Sequence, residues 1–235
     1  AVGWRVTFLI IAAIAFGVLG LLAAVLKKSP SDNNFSLRKL PALIKTPSLW
    51  GIYLLTLVAI SGHFTAYSYI EPFLSRIAGL GNNAITVVLT LFGAVGLVGS
   101  FIFSRHYNNN VETFFKMAVA GLCFCLLMLL PASCTEWSAF LQCMLWGLSI
   151  NFFNLSFQSE IIRHAPQGTA VAMSIYSGIY NVGIGTGALV GGSVCDGIGI
   201  RYIGYVGGAI ALAAVIYCIR HVVPVLRHAT AGTDI

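Results

Sequence analysis

The side chains of this chain that could do chemistry are few, and three of them recur every fourth residue: His63, Tyr67 and Glu71. A helix turns about 100° per residue, which puts the three within about 80° of one another on one face. An imidazole, a phenol and a carboxylate so arranged can hydrogen-bond a polar ligand and exchange a proton. A second group is made of amides: Asn151, Asn154 and Gln158 share a face within about 60°. Amides both donate and accept hydrogen bonds, which suits a hydroxylated ligand. Asn181 stands alone on a glycine-rich run. Enzyme chemistry finds no such support. The sequence shows no Ser/His/Asp, Cys/His or paired-carboxylate arrangement, and His106, His164, His221 and His228 all fall at the ends of apolar stretches. The six cysteines have no metal-ligand spacing, so neither a metal nor a cofactor is expected, although Cys134 and Cys195 both fall near outward-facing ends, where a disulfide is open to them.

Each of these residues has a plainer use. His63 can be a neutral packing residue, and Glu71, just before Pro72, can be a solvated helix end. Asn151 and Asn154 can join helices to one another, as amides do in membranes. From the residues alone both uses stand.

The elements that carry them follow from the charges. Only 9% of the residues are charged and 58% are hydrophobic, with a mean hydropathy of +0.89. The 13 Lys/Arg and 7 Asp/Glu leave uncharged intervals at 6–26, 46–70, 77–104, 117–135, 137–159, 164–195 and 202–219. Crossing a bilayer core of about 30 Å takes roughly 20 apolar residues of helix. Each interval supplies one crossing, so the fold class is all-α membrane with seven transmembrane helices. The expected helices are Val6–Leu26, Ser48–Ile70, Ala84–Phe103, Phe114–Leu130, Ser138–Phe157, Ala170–Gly191 and Tyr202–Val223.

The net charge of +6 then reads as topology rather than as a nucleic-acid surface. Alternate connections carry Lys27, Lys28, Arg38, Lys39, Lys45, Arg105, Lys116, Arg163, Arg220 and Arg227 on one side. The other side receives Arg5, Arg76 and Arg201. The richer side is cytoplasmic by the positive-inside rule, which places the carboxyl terminus in the cytoplasm. No nucleic-acid partner is expected, because the basic stretch Lys27–Lys45 has little aromatic content. The first apolar stretch is too long for a signal peptide. The abrupt start at Ala1 predicts a piece of a longer protein.

The organisation is uneven. Residues 1–26 form one helix, 27–47 a polar cytoplasmic linker with a short amphipathic segment at Leu37–Ile44, 48–224 six closely connected helices, and 225–235 a cytoplasmic tail. The sixth span carries Gly183, Gly187 and Gly191, overlapping GxxxG steps that let another helix approach closely. A retinal pigment would need a lysine in the last span, and Tyr202–Val223 has none.

Four stretches carry a resemblance: Ile52–Thr56, the Thr65–Phe73 run TAYSYIEPF, Ser177–Gly192 and Ile203–Gly208. Together they resemble the bacterial sugar efflux transporters of the drug:proton antiporter branch of the major facilitator superfamily. The resemblance spans the family's sixth to twelfth helices. It implies that the last six helices are the C-terminal bundle of a transporter whose N-terminal bundle lies in the parent protein. It also implies the bacterial inner membrane, with the lipid bilayer as surroundings, protons as the coupling ion, and arabinose-like or thiogalactoside sugars as exported cargo. His63, Tyr67, Asn151, Asn154 and Asn181 would line the substrate pathway, and Glu71 would serve proton coupling or a gate. Facilitators often carry Gly-x-x-x-Asp-Arg-x-Gly-Arg-Arg in a cytoplasmic loop. Here Gly99 and Arg105 remain of it, within Gly99–Asn108, but the Asp and the basic pair are missing. A multidrug proton antiporter of the same superfamily is the alternative within the class. Outside it stands a seven-helix receptor or structural membrane subunit.

Overall fold

The computed structural model describes residues 4–25, 46–109, 111–166 and 168–226. The expected linker, its Leu37–Ile44 segment and most of the tail fall outside the described residues. Among those described, every regular element is helical. The chain divides into two units, Ala1–Asn34 and Phe35–Ile235. The first contains α1 (Trp4–Val25), 22 residues with no acidic residue in its first turn and no basic residue in its last. At about 1.5 Å rise per residue it is long enough to cross a bilayer core.

The second unit contains α2 (Pro47–Tyr67), α3 (Ile70–Arg76), α4 (Asn82–His106), α5 (Val111–Met128), α6 (Glu136–His164), α7 (Thr169–Asp196) and α8 (Ile203–Tyr217). Local chemistry sets many of the boundaries. Pro47 opens α2 at a position where its missing N–H costs no helical bond. Thr135 caps α6, its Oγ1 accepting from the Ser138 backbone N–H at 3.2 Å. Gly199 turns the chain after α7 at φ 102°, a conformation side chains with a Cβ rarely adopt. Arg105 and His106, like Arg163 and His164, occupy last turns, where cations meet the negative end of the helix dipole.

Among the described residues, six helical stretches are both long and apolar enough to cross a membrane. The 28-residue α7 is also long enough to cross, but its glycines, tyrosines and asparagine dilute its hydropathy. The second expected span differs from its sequence-based form. The sequence predicts one helix to Ile70, but the helical pattern lapses at Ser68–Tyr69 and resumes as α3. Pro72 accounts for the break, since it offers no N–H to the Ser68 carbonyl and its ring crowds that oxygen. The helix expected to stop at Phe157 runs on to His164 and carries Glu160 with it.

Hydrocarbon does not drive helices together as water does, so close packing of small residues holds this bundle. α2 is its centre, buried on most sides. On one flank, Gly183, Gly187 and Gly191 of α7 lie so close to α2 that an added Cβ would meet Ile60, the Ser61 carbonyl or the Thr65 carbonyl. On the other, Gly62 of α2 and Gly207 of α8 face each other, each within 2.7 Å of where the other's Cβ would reach. α8 continues onto α5 through Gly204, which abuts the Leu126 carbonyl. α5 meets α6 where the buried Gln142 amide donates to the Cys125 carbonyl. α6 meets α4 at Gly147, against the Phe92 carbonyl. Cys134 and Cys195 are free thiols, as are the other four cysteines.

Candidate functional site

α2 and α6 bring the first candidates together. His63 is 3% exposed, and the Trp146 indole N–H of α6 donates to His63 Nδ1 at 3.0 Å. Tyr67, one turn further along α2, stacks on the imidazole with ring centres 5.1 Å apart and planes 18° from parallel. Phe92 of α4 closes the group, 5.2 Å from Tyr67 and 5.6 Å from Trp146 between ring centres. Phe64 meets His63 edge-on at 4.8 Å and Tyr180 of α7 at 6.5 Å. Asn154 of α6 lies beside Tyr180. His63 and Trp146 are buried, whereas Phe64, Tyr67, Phe92, Asn154 and Tyr180 are half-buried. The result is an aromatic cluster where α2, α4, α6 and α7 converge, with an imidazole, two phenols and an amide as its polar groups.

The remaining candidates lie elsewhere. Asn151 turns into the contact with α4, its amide against Gly96 and Gly99, and its Oδ1 is buried without a hydrogen-bond partner. A 60° offset thus sends Asn151 and Asn154 to different neighbours. Asn181 is exposed and its amide donates to the Ser177 carbonyl of its own helix at 2.8 Å. Glu71 is exposed in the first turn of α3 and borders a cavity of about 430 Å³ with Asn82, Thr86 and Thr90. Like Tyr67, which packs on Phe92, it faces α4. Gly99 is buried beneath Asn151, and the exposed Arg105 sets its guanidinium 4.7 Å from the Phe101 ring centre. Gly183, Gly187 and Gly191 form the α2–α7 contact, which two hydrogen bonds reinforce: Tyr69 to the Ala188 carbonyl at 3.1 Å, and Ser61 Oγ with Thr186 Oγ1 at 2.7 Å.

The sequence does not single out Trp146, Phe92 or Tyr180. Trp146 lies eight residues before Asn154, within about 80° on the helix wheel, so a projection extended by one turn would have joined them. Nor does the sequence single out a cluster at the far end of α4 and α6. There Glu160, 2% exposed, accepts from the Tyr107 hydroxyl at 2.9 Å and lies 3.5 Å from His164 and 3.8 Å from Arg163.

Comparison with known proteins bears on all of this. The Major Facilitator Superfamily profile matches residues 1–173. A protein of Pasteurella multocida (strain Pm70) called "Probable sugar efflux transporter" is 46% identical over 210 residues, covering 89% of this chain and 52% of that protein. Proteins of the same name from Helicobacter acinonychis (strain Sheeba) and Helicobacter pylori (strain ATCC 700392 / 26695) are each 44% identical over 214 residues, covering 91% of this chain and 55% of theirs. The chain spans about half the length of these relatives.

Proposed function

The chain belongs to the Major Facilitator Superfamily, and from that premise we propose that it supplies the C-terminal half of a sugar exporter driven by inward proton flow. In this reading residues 1–26 are the sixth helix of a twelve-helix transporter and 27–47 its inter-bundle linker. Residues 48–224 are the second bundle and 225–235 a cytoplasmic tail. The protein is a multi-pass transporter of the bacterial inner membrane and not an enzyme. The N-terminal bundle would form the opposite wall, and the two halves would rock about a site near the bilayer midplane.

The observation that carries the sugar reading is the aromatic cluster around His63. A sugar ring has apolar C–H faces and a rim of hydroxyls. Trp146, Tyr67, Phe92 and Phe64 offer flat apolar surface, while His63, Tyr180 and Asn154 offer donors and acceptors. The ring contacts of His63 are to Phe64, Tyr67 and Trp146, none of them charged, as suits an uncharged cargo. Asn181 would extend the wall on the exposed face of α7, and Asn151 would support it from the α4 contact. Glu71 is the candidate for an outer gate or for proton coupling.

The test uses full-length protein in inverted membrane vesicles, with labelled arabinose and an imposed proton gradient. Gradient-dependent accumulation that is lost in His63→Ala is the expected result. Absence of any proton-dependent accumulation overturns the sugar reading, and unaltered transport by the variant removes His63 from the site. The same rings also suit amphiphilic drugs. Accumulation of a cationic dye in place of arabinose would move the bundle to that class of cargo.

A further inference from the structure

Trp146 makes a contact that does more than fill space. Indole nitrogen carries a hydrogen and has no lone pair to offer, so it is a donor only. Its partner at 3.0 Å, His63 Nδ1, must therefore accept, and an accepting Nδ1 is unprotonated. The proton of a neutral imidazole then sits on Nε2. Among the described residues, the enclosed polar side-chain atoms without a partner are Asn151 Oδ1, Ser156 Oγ and Tyr176 Oη. His63 Nε2 is not among them, and its ring's one hydrogen bond is the one from Trp146. Nε2–H is thus free to meet a ligand beside the half-buried Tyr67 and Phe64.

We propose that Trp146 is a positioning residue that holds His63 as the neutral Nε2–H tautomer, so that His63 presents the substrate with a hydrogen-bond donor. The proposal deepens the sugar reading and rests on it for the identity of the acceptor, an oxygen of the sugar. It has a second consequence. A protonated His63 would set an Nδ1–H against the indole N–H, two donors facing each other, so His63 stays neutral while the pair is intact. The proton that drives export is carried by another group. Stacked Tyr67 fixes the plane of the ring, and Trp146, edge-on at 5.4 Å, fixes its rotation. The titratable groups nearby are Tyr67 on α2 and Tyr180 on α7; the rings that α4 and α6 contribute, Phe92 and Trp146, do not titrate.

The test reads the imidazole directly. Full-length protein labelled with ¹⁵N-histidine gives distinct signals for protonated and unprotonated ring nitrogens, and His63→Gln identifies those of His63 by difference. The expected spectrum has an unprotonated Nδ1 and a protonated Nε2, unchanged from about pH 5 to 8. Trp146→Phe keeps an aromatic ring but no N–H. It should release His63 into a mixture of its two neutral tautomers, with an Nδ1–H signal that the wild-type protein lacks, and raise KM for labelled arabinose roughly 2- to 10-fold with kcat less affected. A His63 in wild-type protein that is protonated at Nδ1, or that becomes imidazolium within the range, overturns the proposal. So does a spectrum that Trp146→Phe leaves unchanged. Should the spectra behave as expected while arabinose is not carried, the pairing stands and the sugar reading falls.

Discussion

The Tyr107 hydroxyl, just past the end of α4, donates to Glu160 Oε1 of α6 at 2.9 Å and also to the Ser156 carbonyl at 3.2 Å. Tyr107 is 6% exposed, and Phe103 stacks on its ring at 4.2 Å. This phenol joins the ends of two helices that also meet through glycine contacts and the Phe92–Trp146 ring pair. It also gives the buried carboxylate a neutral donor, in addition to the partly exposed Arg163 and to His164.

Removing that donor should loosen the end of the bundle. A hydrogen bond to a charged group contributes about 1.5–3 kcal/mol, so Tyr107→Phe is expected to lower stability by an amount of that order. Burial, and then the Glu160 charge, push the Tyr107 phenol well above the usual tyrosine range. The folded state therefore keeps this proton at pH values where the unfolded chain has lost it. The contribution is fully present below about pH 10 and declines as pH rises beyond it. Thermal unfolding in detergent across the alkaline range should show a steeper loss for the wild-type protein than for Tyr107→Phe. Parallel curves would count against a buried phenol.

Two glycines two residues apart on α7 allow a sharper comparison. A Cβ on Gly187 would lie 2.5 Å from the Ser61 carbonyl oxygen and 2.8 Å from Phe64 Cβ, whereas one on Gly185 would meet nothing within 4 Å. Gly187→Ala should therefore force α2 and α7 apart and cost about 1–3 kcal/mol, as overpacking does. Gly185→Ala should be neutral or gain up to about 1 kcal/mol from helix propensity. Unfolding of the two variants in the same detergent decides it. Equal stabilities would mean that the α2–α7 approach is looser than the structure has it.

These contacts mark where sequence was informative and where it stopped. Uncharged intervals locate the crossings because a charge in hydrocarbon is costly at every position, a local constraint that needs no knowledge of neighbours. The Gly183, Gly187 and Gly191 spacing likewise declares a close helix contact, though not that α2 is the partner. A helix wheel, by contrast, assumes one unbroken helix. Pro72 interrupts the second span at Ser68–Tyr69, so a wheel drawn through it does not by itself fix the direction of Glu71 relative to His63 and Tyr67. Nor does a wheel show which neighbour a side chain meets. Asn151 and Asn154 look equivalent in sequence, yet one turns to the glycines of α4 and the other to Tyr180. The Trp146–His63 bond joins residues 83 positions apart, a separation that no local pattern encodes.

That divergence of the two amides leads to the last expectation. Asn154 borders the aromatic cluster beside Tyr180, so Asn154→Ala should weaken recognition of a hydroxylated cargo and leave the fold largely intact. One lost hydrogen bond of about 0.5–1.5 kcal/mol corresponds to a rise in KM of roughly 2- to 10-fold. Asn151 fills the space over Gly96 and Gly99, with an oxygen that the bundle leaves unpaired. Asn151→Ala removes both the filling and the unpaired acceptor, effects of opposite sign. It should therefore change stability by no more than about 1 kcal/mol in either direction, and shift KM less than Asn154→Ala does. Transport kinetics and unfolding measured on both variants place each amide. A larger KM effect from Asn151 than from Asn154 would show that α6 rotates in the transport cycle and brings the other face to the cargo.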